Sequence, residues 1–224
     1  RIELIELAPG EIDALHAASK MDWSAIEPAI LGTLFERGLD PKIRAPLGAN
    51  YTDPGTIMKL VGPVVVEPLE REWEIAKAKI GPLVAKYQAG GRGSQTAGQE
   101  AQALFLGHLE RLKNFRVLDP ACGSGTFLFH AVRRYLAAAE AQGMSVARAL
   151  ECVTSHVFGM DLHPVAVTLA RVTYLLALGR QRLISKRRGT IHIPVYLGDS
   201  MQWRQQDRSL LSSPDLTIVE IGRA

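Results

Sequence analysis

The sequence predicts an α/β fold: a partial parallel sheet preceded by an N-terminal helical segment. Three observations predict it. After residue 115, short apolar runs alternate with helical patterns, the order that builds a parallel sheet through right-handed crossovers. An acidic residue closes three successive runs: Asp119, Asp161 and Asp199. A glycine-rich turn, 122–125, joins the first run to the helix after it. Ligands of open α/β sheets sit at the carboxyl ends of the strands, so the three carboxylates and the turn are expected to share one crevice.

The N-terminal part reads as helix and loop. Residues 1–20 mix apolar and acidic types, and Ile2, Leu4 and Leu7 suit the tail of a preceding domain. Over 23–37, Trp23, Ile26, Ala29, Ile30, Leu34 and Phe35 recur near helical spacing, with Asp22 or Ser24 as cap and Gly38 as stop. Prolines and glycines make 40–54 a loop. A helix should start near Thr56, break at Gly62-Pro63 and resume as an amphipathic helix over 67–79. Residues 88–99 are small and polar, read as a mobile linker, and helix resumes over 100–112. The expected organisation is a helical segment 1–87, a linker 88–99 and an α/β domain 100–224.

The α/β part follows in order. Strand 115–119 turns through glycines into an apolar helix, 126–142. A helix over 145–154 leads to strand 156–161, then helix 164–178 opened by Pro164. Strand 190–197 ends at Gly198-Asp199, and the apolar run 216–221 reads as a further strand. Phe127 and Phe129 fit the core face of their helix. The start at Arg1 and a strand so near the end suggest a piece of a longer protein.

Composition narrows the class. A hydrophobic fraction of 47% and a charged fraction of 22% are those of an ordinary globular chain, so disorder is not the default. Net charge is +3, which permits a nucleic-acid partner without requiring one. Cys122 and Cys152 form no CxxC pair, so no zinc site or disulfide framework is indicated and a reducing, cytoplasmic setting is expected. No apolar run reaches the ~20 residues of a membrane span, and no signal peptide opens the chain.

The turn carries the chemistry. Gly123 and Gly125 allow positive φ and close ligand approach, and the amides of the turn and helix start are free donors for an anionic group. A P-loop needs a lysine, and none occurs between Lys113 and Lys186. A dinucleotide fingerprint needs a third glycine where Leu128 stands, and an acid about 20 residues on; Asp161 lies 36 beyond Gly125. A zwitterionic nucleoside remains, with Asp119 for its ammonium and the turn amides for its carboxylate.

Asp119-Pro120-Ala121-Cys122-Gly123-Ser124-Gly125, followed by Thr126, resembles motif I of class I S-adenosylmethionine-dependent methyltransferases, in the form usual for DNA adenine-N6 enzymes. Gly159-Met160-Asp161-Leu162-His163-Pro164 resembles motif II, and Gly198-Asp199-Ser200 resembles motif III. The block 28–36, continuing through Gly48-Ala49-Asn50-Tyr51-Thr52, resembles motif X of large type II restriction-modification polypeptides, with Asn50 where a histidine or glutamine is expected. The resemblance spans 23–200 in the order X, I, II, III. It implies a Rossmann-like parallel sheet and S-adenosyl-L-methionine as cofactor. Asp161 would grip the ribose, with Leu162 beside it. Asp199 or Ser200 would contact the adenine amine, and Tyr51 and Thr52 would close over the methionine end.

The resemblance stops short of the methyl acceptor. Adenine-N6 enzymes use an (Asn/Asp)-Pro-Pro-(Tyr/Phe) motif, and none occurs here; Ser213-Pro214-Asp215-Leu216 is the nearest string. No catalytic residue is therefore assigned, and the chain is expected to bind cofactor without methylating. No metal is implied, and no PD…(D/E)xK pattern marks a nuclease. The expected partner is DNA, reached through a parent protein with a linked nuclease and target-recognition domain. Alternatives are an RNA or protein glutamine methyltransferase, a non-catalytic cofactor-binding domain and, least of all, an NAD-dependent oxidoreductase. Cys122 reads as a packed residue, His163 as exposed and inert, and Lys186-Arg187-Arg188 as a solvated loop.

Overall fold

A computed structural model describes residues 6–22, 30, 54–184 and 190–201. Helix α1, Pro9–Ser19, is opened by proline and buries no residue. A long helical rod begins at Pro54. Its first part, α2 (Pro54–Val61), passes into a π-helical turn, Gly62–Val66, and then into α3 (Glu67–Ala89). The rod buries Ile57, Val61, Val65 and Leu69, each four residues after the last. On an α-helix that spacing drifts by about 40° per step. The wider π turn, in which the Glu67 amide donates to the Gly62 carbonyl five residues back, offsets the drift. The expected break at Gly62-Pro63 is thus a change of winding within a continuous helix.

Helix α3 folds back on α4, Ser94–Lys113, across residues 90–93 alone. Both the mobile loop over 88–99 and the helix end near 79 are corrected here. Gly98 lets α4 approach so closely that a Cβ there would stand 2.7 Å from the Tyr87 ring. Ala97 and Ala101, one helical turn apart, are buried. Small residues that read as linker are instead a packing face. Pro82 lies inside α3, past the point where the helix was expected to stop.

Strand β1, Val117–Asp119, follows α4 directly. Helix α5 (Thr126–Ala141), helix α6 (Val146–His156) and strand β2 (Val157–Asp161) come next. Helix α7, Pro164–Leu178, and the short α8, Arg180–Leu183, lead towards strand β3, Val195–Leu197. The three strands are parallel, in the order β1-β2-β3. Leu118 pairs with Phe158, and Gly159 pairs with Val195. The structure is thus mostly helical around a small parallel sheet. The strands are shorter than expected at 115–119 and 190–197, because Phe115, Arg116 and residues 190–194 lie outside the ladder.

The core lies between the sheet, α5 and α7. Val157 and Val195 on the sheet, Val132 and Leu136 on α5, and Ala170, Tyr174 and Leu178 on α7 are completely buried. Phe129 joins them, whereas Phe127 is half-buried. The Tyr135 hydroxyl donates to the Leu112 carbonyl (2.9 Å), and His108 Nε2 lies 2.8 Å from Gln142 Oε1. These buried polar contacts tie α4 to the far end of α5, where unpaired groups would be costly. The expected helix 23–37 (apart from Ile30), loop 40–53, the motif X-like Tyr51 and Thr52, the Lys186-Arg187-Arg188 run and strand 216–221 lie outside the described residues.

Candidate functional site

The site is built on the ends of β1 and β2. Asp119 is the last residue of β1 and Asp161 the last of β2. Between Asp119 and α5 the chain makes a tight turn. Gly123 (φ 53°) and Gly125 (φ 86°) supply the left-handed backbone conformations it needs. The turn closes through the Gly125 amide donating to the Cys122 carbonyl at 2.8 Å. It is then fastened to β2. The Cys122 amide donates to the Met160 carbonyl (2.9 Å), and the Gly123 amide donates to Asp161 Oδ2 (2.8 Å). Asp161 Oδ1 accepts from the His163 amide, also at 2.8 Å, just before α7.

Two residues outside the expected site, Ala170 and Gly159, set the height of the turn. A Cβ on Gly125 would meet Ala170 Cα of α7 at 2.9 Å. A Cβ on Gly159, in mid-β2, would collide with Leu128 and lie 3.2 Å from Cys122 Sγ. The available signal for Gly159 was an isolated glycine inside an apolar strand, which marks close backbone approach. Among the described residues nothing lies within 4 Å of a Cβ built on Gly123, so they leave that side of the turn open.

Electrostatics separate the groups. Burial pushes the Asp119 carboxyl above its ordinary value, and the neighbouring Asp161 charge adds to this. The Ala121 amide, 3.3 Å from Asp119 Oδ1, pulls the other way. Burial, then the charges of Asp119 and Asp161, push the Cys122 thiol far up. Cys122 is therefore a buried packing residue, inert as a nucleophile. Pro120 and Ala121 are exposed, and Ser124 and Thr126 are half-buried with their hydroxyls 3.4 Å apart. Leu162 is 54% exposed beside Asp161. His163 is half-buried, and its Nδ1 accepts from the Val165 amide; it caps α7 and is not exposed.

Asp199 stands differently. β3 ends at Leu197, so Asp199 lies in the following turn, where Oδ1 accepts from the Met201 amide at 2.9 Å. Its turn is tied to the same strand ends, because the Gly198 amide donates to the Asp161 carbonyl (3.0 Å). Ser200 is half-buried next to it. Asp119 and Asp161 therefore each bond an amide of the same turn, whereas Asp199 joins through the backbone. Among the described residues no group of His, Cys, Asp or Glu could hold a metal ion, and no helix is long and apolar enough to cross a membrane. A cavity of about 420 Å³ lies away from the strand ends, between α3 and α4.

The sequence profile of the family described as the MmeI DNA-methyltransferase domain matches residues 94–209, just over half of the chain. The chain belongs to this family. The match covers the turn, both strand-end acids and the Asp199 turn of this MmeI-type methyltransferase domain. Among similar proteins, one from Methanocaldococcus jannaschii, named as a type II restriction enzyme and methyltransferase, is 28% identical over 166 residues. DNA methyltransferase A of Bacillus subtilis is 24% identical over 114 residues. These alignments cover 68% and 51% of this chain, but the chain spans only 14% and 10% of those relatives. The solved structure of the type IIL restriction-modification enzyme MmeI in complex with DNA shares the fold. Its TM-score is 0.60 at 22% identity, over 90% of this chain and 27% of that one.

Proposed function

We propose that this MmeI-type domain is the S-adenosyl-L-methionine-binding part of a DNA adenine-N6 methyltransferase in a cytoplasmic restriction-modification system, with a Rossmann-like class I fold. The observation that carries the reading is the fastened glycine turn between the acids that end β1 and β2, its Gly123 side left open by the described residues. That donor set suits a nucleoside carrying an amino-acid tail. The start of α5 favours a carboxylate, whereas the amides of Ala121, Cys122, Gly123 and Gly125 already donate within the protein. Asp119 suits an ammonium, and Asp161, with about two of its lone-pair positions still available, suits a pair of vicinal hydroxyls. Leu162 offers an exposed apolar surface for a base, with Asp199 and Ser200 at its edge. Tyr51 and Thr52 complete the set in this reading.

When bound, the cofactor supplies an electrophilic methyl group. The residues of this chain hold and orient it, so their share of the rate enhancement is alignment. Flipping the target base and gripping its amine are assigned to residues of the (Asn/Asp)-Pro-Pro-(Tyr/Phe) type, which these 224 residues do not contain. DNA, a linked nuclease and a target-recognition domain are the proposed partners through the whole polypeptide, and no metal is required by the transfer.

Calorimetric titration with S-adenosylmethionine or its demethylated product tests the reading. Asp161→Ala should weaken affinity by roughly 1.5–3 kcal/mol, the value of a hydrogen bond to a charged group. An unchanged constant removes Asp161 from the site, and no binding by the parent chain removes the reading. With labelled cofactor and adenine-containing DNA, the isolated chain should transfer no methyl.

A further inference from the structure

We infer that Asp161 is also a positioning residue: its carboxylate is the template on which the glycine turn is held in its binding shape before any ligand arrives. The inference deepens the proposed cofactor site, and rests on that reading only for what the turn receives.

The argument starts from the ladder. β1 and β2 pair from Val117 to Asp119, and there β1 ends. The pairing nevertheless continues into the turn, because the Cys122 amide donates to the Met160 carbonyl at 2.9 Å. The next amide, Gly123, has no strand carbonyl to meet, and Asp161 Oδ2 takes it at 2.8 Å. The other oxygen of the same carboxylate takes the His163 amide at 2.8 Å. One side chain thus joins the turn before α5 to the turn before α7, across 38 residues of sequence. Ala170 of α7 in turn abuts Gly125, so fixing the α7 turn also fixes the far side of the glycine turn.

The geometry leaves Asp161 free to do both tasks. A carboxylate has about four lone-pair positions, and the two amides use two of them. Vicinal hydroxyls can take the others without breaking the staple. The turn then needs no ordering on binding, and the affinity lost to such ordering is spared.

Amide hydrogen exchange of the ligand-free 224-residue chain tests this. In Asp161→Ala the Gly123 amide should exchange at least tenfold faster, while Val132 and Leu136 of α5 keep their protection. Unchanged exchange at Gly123 overturns the inference, even if cofactor affinity falls; Asp161 would then act on the ligand alone. Asp161→Asn keeps the shape but has a single carbonyl oxygen, so either Gly123 or His163 should lose protection. Both amides unchanged in this variant also overturns it, and this variant carries the test if the alanine form does not fold. Faster Gly123 exchange in a chain whose wild type binds no cofactor supports the inference and sinks the proposed function.

Discussion

Two glycine-rich turns among the described residues have similar composition and opposite character. Gly90, Gly91 and Gly93 between α3 and α4 all have positive φ, as do Gly123 and Gly125 between β1 and α5. At the first turn, Cβ atoms on Gly90 and Gly91 would meet nothing within 4 Å among the described residues. There glycine serves the backbone alone, reversing the chain between two helices. At the second, Gly125 is pressed against Ala170, and Gly123 is bonded to Asp161. Positive φ makes a turn possible in both. Only the second is held by neighbours from elsewhere in the chain, and that is what makes it a cradle.

The largest effect that could break this comparison is at Gly125. Gly125→Ala adds a left-handed penalty to an overlap with backbone, together roughly 2–5 kcal/mol. It should lower the melting temperature and abolish cofactor binding; a variant that melts and binds like wild type would make the two turns equivalent. Gly159→Ala acts from beneath, by forcing Leu128 and Cys122 apart. Its expected cost is about 1–3 kcal/mol in denaturant unfolding, with cofactor affinity reduced in step. Gly91→Ala should cost only about 1–2 kcal/mol, from positive φ alone, and leave the titration unchanged. A fall in affinity there would mean that the hairpin turn bears on the site.

The smallest effect sharpens the contrast through charge. Asp119 holds its proton more tightly in the folded chain, chiefly through burial and then through Asp161. Stability from this group is present below its ordinary value of 3.8 and lost as pH rises through the raised one. Asp119→Asn should therefore melt above wild type at neutral pH, with the gap closing below pH 3.8. A gap that ignores pH would deny a charge cost at this turn.

Much of the α/β half was legible. Helix 164–178 has the expected bounds because Pro164 opens it and Gly179, at positive φ, follows it. That Asp119 and Asp161 flank one turn follows from their places at the ends of adjacent parallel strands, although in the ladder Asp119 pairs with Gly159. The helical hairpin was not legible over 88–99, because small polar residues carry no apolar signal; only the approach of Tyr87 to Gly98 reveals why they pack. The Asp161–Gly123 bond was hidden for another reason: a contact 38 residues apart leaves no local pattern. Asp199 was placed at a strand end because the apolar run reads as strand up to Gly198-Asp199, yet β3 ends at Leu197 and Asp199 lies in the turn that follows.

The π turn at Gly62–Val66 acts as a spacer one residue thick, hidden in an otherwise ordinary helix. Removing Val64 would change the buried spacing from 4-4-4 to 4-3-4, which an evenly wound α-helix keeps on one face, with a net drift of about 20° from first to last. Ile57 and Val61 would keep their place against α5, and the rod would only be shorter by one residue. The turn thus stores a whole residue of length without turning the buried face of the rod away from the domain.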